Sequence, residues 1–136
     1  MYSDVLLYPM LAHVLLVLCL YALLTLFRAP VVWGLASKSN RIQSWKTLES
    51  RVSANLSNQF EWPMMFHAVS VLLMSKYPLV SSVCLWAAWV FVGGRVLHSW
   101  VQVCTGNVRL RGVIFTINFV AVLVMWFLLF LQMHDG

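Results

Sequence analysis

Three segments of this chain run for more than 20 residues with almost no charge: 5–27, 79–103 and 112–133. Val5 to Phe27 holds 23 residues, or roughly 34 Å of helix at ~1.5 Å per residue, enough to cross a ~30 Å hydrocarbon layer. A segment around Trp62–Met74 is equally apolar but shorter. The 136 residues are 62% hydrophobic and only 10% charged, with a mean hydropathy of +0.84. Soluble domains average about 45–50% apolar and about 25% charged residues. The composition therefore excludes a soluble globular domain, a disordered chain and a nucleic-acid-binding module. It implies an all-α membrane protein, one domain of four transmembrane helices over 5–27, 48–76, 79–103 and 112–133, with little chain left outside the bilayer.

The net charge of +5 follows from topology rather than from an acidic partner. Arg28, Lys38, Arg41, Lys46 and Arg51 fall between the first two apolar segments, and Arg109 and Arg111 between the last two. That is the positive-inside pattern, with both termini on the non-cytoplasmic side and Lys76 alone in the opposite loop. Cys19, Cys84 and Cys104 are scattered in apolar runs and give neither a disulfide framework nor a zinc spacing. The N-terminus lacks the basic start and cleavage pattern of a signal peptide, so the first segment is read as an anchor. The polar stretch Ala36–Trp45 is the candidate flexible loop. The sequon Asn55-Leu56-Ser57 lies on the cytoplasmic side of this topology and is fortuitous.

The second helix is the informative one. Trp62–Met74 is too short to span alone, so the helix borrows its N-terminal half from near Leu48 and carries Arg51, Asn55, Asn58 and Glu61 toward the membrane on one face. The third helix places Arg95, His98 and Gln102 on a single face in the same way. Counted from the Lys76–Pro78 turn, Glu61 and Arg95 reach similar depths, about 22 and 25 Å. Arg111 opens the fourth helix with Phe115 and Asn118 on its face. One layer of the cytoplasmic leaflet thus gathers Asn58, Glu61, Arg95, His98, Gln102 and Arg111. Ionisable groups there cost at least ~2.5–3.5 kcal/mol each, so the layer calls for an explanation.

Part of the explanation is structural: Glu61 and Arg95 are expected to form a buried ion pair that fixes helix register. The remaining donors suit a small polycarboxylate anion, because arginine grips carboxylates bidentately. His13 and His67 read as hydrogen-bonded core residues, and the Trp and Met residues as interfacial belts and packing. There is no metal-ligand spacing, phosphate loop, acid pair or nucleophile–base set. An enzyme built this way takes its nucleophile from a substrate. Two other classes fit the same residues: a non-catalytic lipid-binding or scaffold membrane protein, and a small proton or ion pathway through Glu61, Arg95 and His98.

Asn58-Gln59-Phe60-Glu61 followed by Pro63, and Gly94-Arg95-Val96-Leu97-His98 with Arg111 thirteen positions after the histidine, resemble the membrane-associated proteins in eicosanoid and glutathione metabolism (MAPEG), in particular bacterial members. The resemblance implies a homotrimer of four-helix subunits in a bacterial inner membrane. It implies glutathione as co-substrate and a transferase or peroxidase activity on hydrophobic electrophiles or lipid hydroperoxides. Carried over by position, Asn58, Glu61, His98 and Gln102 contact glutathione, Arg111 stabilises its thiolate, and Arg28 offers a carboxylate partner to the neighbouring subunit. Family enzymes carry an arginine one turn before the helix II asparagine, where this chain has Ala54. Arg51 and Asn55 reproduce that spacing three residues earlier, so both asparagines stand as candidates. Gln102 occupies a position that is often tyrosine in the family.

Overall fold

The computed structural model describes residues 1–33 and 41–134, with backbone alone at 31 and 41–43. Much of the Ala36–Trp45 loop, Lys38, Asp135 and the side chain of Arg41 lie outside the described residues. After a 3-10 turn at Ser3–Leu6, the chain forms α1 (Leu7–Val32), α2 (Arg41–Asn58), α3 (Pro63–Lys76), α4 (Ser82–Trp100) and α5 (Val108–His134). Segments Ser3–Pro30 and Val108–His134, 28 and 27 residues long, are each long and apolar enough to span a bilayer. The architecture is an all-α membrane bundle of four rods, in which α2 and α3 together make the second.

That second rod is broken, where a continuous helix over 48–76 was expected. Pro63 supplies no N–H for a helical bond, and its ring would collide with the carbonyl of Gln59 four residues back. The chain tightens instead into i→i−3 turns, Gln59 N–H to Leu56 O and Phe60 N–H to Ser57 O, both 3.0 Å. It restarts with Pro63 at the first position of α3, where a missing N–H costs nothing. The break leaves the Asn58 carbonyl without its helical partner, and α2 itself begins earlier than expected, at Arg41.

The N-terminus and the last described turn of α5 meet the α3–α4 turn at one end of the bundle. The Met1 ammonium donates to Val80 O at 3.1 Å, Ser3 N–H to Pro78 O at 3.0 Å, and Gln132 Nε2 to Leu79 O at 3.5 Å. Ser81 caps α4 by accepting from Cys84 N–H at 3.2 Å. At the far end α4 widens into a π-turn over Val101–Thr105 and stops at Gly106, whose φ of 95° suits glycine. Asn107 then caps α5, its Oδ1 accepting from Leu110 N–H at 3.1 Å. The fourth helix therefore starts at Val108 rather than 112, and Arg109 and Arg111 lie in its first turns.

Apolar burial falls into two clusters. Phe66, Val69, Leu73, Phe91, Val122 and Met125 pack α3, α4 and α5 together toward the termini. Leu20, Leu24, Val52 and Leu56 join α1 to α2 at the other end. Between them lies a buried polar layer of His13, Asn55, Gln59, Arg95 and Ser99.

Candidate functional site

The broken second rod opens a cavity of about 780 Å³ between α2, α3, α4 and α5, within the range of small-molecule sites. Asn58, Glu61, Arg95, His98, Gln102 and Arg111 all line it, with Trp62, Met65 and Phe115 as apolar wall. These are the six polar residues that the sequence placed in one layer. Their joint presence follows from the two i, i+3/i+4 faces on α2 and α4 and from the early start of α5, which brings Arg111 inward.

Gln102 ties the wall of the cavity together. Its Oε1 accepts from Asn58 Nδ2 at 3.3 Å and meets His98 Nε2 at 3.2 Å. An amide oxygen only accepts, so His98 presents Nε2–H to it. Gln102 sits in the π-turn, an irregularity found often at functional sites. Below the cavity Asn118 packs flush against α4, so closely that a β-carbon on Gly94 would collide with its amide. Gly94 in the quoted motif is thus a close-approach residue that sets the α4–α5 spacing.

Arg95 is only 1% exposed, yet the expected direct ion pair with Glu61 does not form. Arg95 Nε donates to Gln59 Oε1 at 3.0 Å and Nη2 to the Asn58 carbonyl freed by the helix break, at 2.8 Å. Glu61 lies within the break itself, exposed at the cavity wall. The one direct ion pair among the described residues is Arg28–Glu49, 2.8 Å and partly exposed. Glu61 attracts Arg95 only through space, and a guanidinium whose direct partners are all neutral oxygens favours a further anion within reach. Arg111, half-buried across the cavity in the first turns of α5, adds a second positive charge to the positive end of that helix.

Gln59 was not among the sequence candidates, although it sits inside the quoted motif. Besides Arg95, its Oε1 accepts from His13 Nε2 at 3.1 Å, while its Nε2 donates to Asn55 Oδ1 at 3.2 Å and Ser99 Oγ at 3.0 Å. The spacings Asn55–Gln59 and Arg95–Ser99, each one helical turn, were the available signal.

The other sequence candidates lie elsewhere. Asn55 is fully buried behind the cavity, against Gln59 and Ser99. Arg51 reaches the middle of the π-turn, its Nη1 donating to Val103 O at 3.4 Å. Arg28 lines a separate shallow depression with Lys46 and Glu49. Of the two asparagine registers, Asn58 with Glu61 faces the cavity. His13 and His67 pair with one another, Nδ1 to Nε2 at 3.0 Å.

A membrane bundle whose polar cavity lies between a broken second helix and the arginine-bearing start of the last defines a recognisable class. The MAPEG family model matches residues 6–131, nearly the whole chain. This chain belongs to the MAPEG family, which includes glutathione transferases and peroxidases and whose members generally use glutathione and form homotrimers. Comparison with curated proteins and with solved structures gave no significant match.

Proposed function

We propose that the protein is a glutathione-dependent transferase or peroxidase acting on hydrophobic electrophiles or lipid hydroperoxides that enter from the bilayer. The observation that carries this reading is the buried Arg95 guanidinium, whose hydrogen bonds all go to neutral oxygens while Glu61 attracts it only through space, in one cavity with Arg111. Glutathione brings two carboxylates, an ammonium and a thiol. Arg95 and Arg111 supply the positive charge, Glu61 a partner for the ammonium, and Asn58, His98 and Gln102 neutral hydrogen bonds.

In this reading Arg111 stabilises the thiolate, since a neighbouring cation lowers a thiol pKa from its usual ~8.5. In conjugation the thiol proton goes to water, a C–S bond forms, and the electrophile's leaving group departs or its double bond takes the electron pair. In peroxide reduction two glutathiones are oxidised to the disulfide while the hydroperoxide becomes an alcohol and water. The subunits assemble as a homotrimer in a bacterial inner membrane, crossing it four times with both termini on the non-cytoplasmic side.

The test is turnover by detergent-purified protein with glutathione and either chlorodinitrobenzene or a fatty-acid hydroperoxide. Glutathione-dependent product with either is expected. No product with both, alongside saturable lipid binding, would instead mark a non-catalytic lipid-binding member.

A further inference from the structure

Four side chains from three helices converge on the buried Gln59. Arg95 Nε and His13 Nε2 both donate to its Oε1, and its Nε2 donates to Asn55 Oδ1 and Ser99 Oγ. Arg95 Nε can only donate, so the amide cannot be turned the other way and its oxygen faces the guanidinium. Arg95 is thereby held at two points, here and at the Asn58 carbonyl. A guanidinium has five N–H donors. The remaining ones have no hydrogen-bond partner among the described residues, and Arg95 lines the cavity.

The contacts around residue 59 do not themselves require an amide. A glutamate of the same length would accept from Arg95 and His13 through one oxygen. Its other oxygen would accept from Ser99 Oγ, which now donates to Asn55 Oδ1, and from Asn55 Nδ2, which is buried with no partner. Turning the Asn55 amide to do so leaves a bare carbonyl in place of a bare N–H, and the carbonyl is the more readily tolerated of the two. Such a glutamate would also place a full negative charge in direct contact with Arg95, where Glu61 now acts only through space. The neutral amide gives Arg95 the bond that holds it without the charge that would pair it. An incoming anion gains most from a cation that no protein carboxylate has already neutralised.

We propose that Gln59 is a positioning residue of the cavity, acting through Arg95: it holds the guanidinium at the cavity wall and leaves its charge to a carboxylate of the ligand. The identity of that ligand as glutathione rests on the proposed function; the requirement for a carboxylate rests on the contacts of Arg95.

The test is calorimetric titration of glutathione, glutathione diethyl ester and glutarate into the detergent-purified parent chain and Gln59→Glu, with a thermal unfolding scan of each. The substitution keeps the length of the side chain and changes its charge. The unfolding midpoint is expected to hold. Glutathione affinity is expected to fall at least about tenfold, the loss of one charge-assisted contact, and affinity for the diester, whose carboxylates are masked, to stay within about twofold. A purely structural role for Gln59 would not separate the acid from its ester. Equal glutathione affinity in the two proteins, an equal loss for acid and diester, or a collapse of the variant's unfolding midpoint would each overturn the proposal. The last would mean that the buried layer needs the amide for stability alone. Glutarate, a bare dicarboxylate, separates this inference from the function. Glutarate bound by the parent chain and weakened by Gln59→Glu, with no glutathione bound, would uphold the role of Gln59 and remove glutathione as the ligand. A parent chain that binds neither would overturn both.

Discussion

Arg111 and Arg95 carry like charges into one cavity in different ways. Arg95 is locked by two short hydrogen bonds to neutral oxygens, whereas the Arg111 side chain has no such anchor among the described residues, which in the proposed function leaves it to meet the sulfur. Replacing Arg111 with Ala is therefore expected to lower turnover by up to about tenfold, the effect of a one-unit change in thiol pKa. Bound-thiolate ultraviolet absorbance should fall with it while the unfolding temperature holds. Gln59 has the opposite profile. Gln59→Leu strands Arg95 Nε and His13 Nε2 in a buried layer, at about 1–3 kcal/mol per unmet group, and leaves Asn55 and Ser99 only their bond to one another. A thermal unfolding scan should show a large loss of stability before any assay is run. The charged members of the site were legible in the sequence because charge is expensive in an apolar chain and stands out. Gln59 and Ser99 were not, because a neutral side chain in the same setting reads as filler until its partners on other helices are known.

At the scale of elements, the site depends on the break between α2 and α3. Pro63 was visible as part of a motif, yet hydropathy and face counting treat residues 48–76 as one helix and cannot register a lost hydrogen bond. The freed Asn58 carbonyl, which receives Arg95, is a consequence of that loss. Pro63→Ala restores the N–H and lets the helix run through, so the carbonyl of Asn58 is reclaimed by the backbone. Glutathione affinity is expected to weaken at least about tenfold, from about 1.5–3 kcal/mol for one lost charge-assisted bond, without a drop in the unfolding midpoint. Isothermal titration paired with a thermal scan separates the two effects. The start of α5 was misplaced for a related reason: Gly106-Asn107 reads as a breaker, but Asn107 is the cap of the next helix, so the arginines counted as loop residues belong to its first turns.

For the whole molecule, four rods and the gathering of Asn58, Glu61, Arg95, His98, Gln102 and Arg111 in one layer were legible from periodicity and charge placement, whereas the two apolar clusters flanking the buried layer were not. Whether α4 and α5 present their exposed apolar faces to lipid or to other subunits was not, since hydropathy scores both surroundings alike. The proposed homotrimer is checked by native mass spectrometry from detergent, with a three-subunit complex expected and a monomer contradicting it. The central claim is that the cavity of Arg95 and Arg111 binds glutathione. Its most direct test is calorimetric titration of glutathione into the purified protein and into the Arg111→Ala and Asn58→Leu variants. Saturable binding to the parent chain, weakened in both variants, is the predicted result. An isotherm showing no binding, or equal binding in all three, would contradict the account.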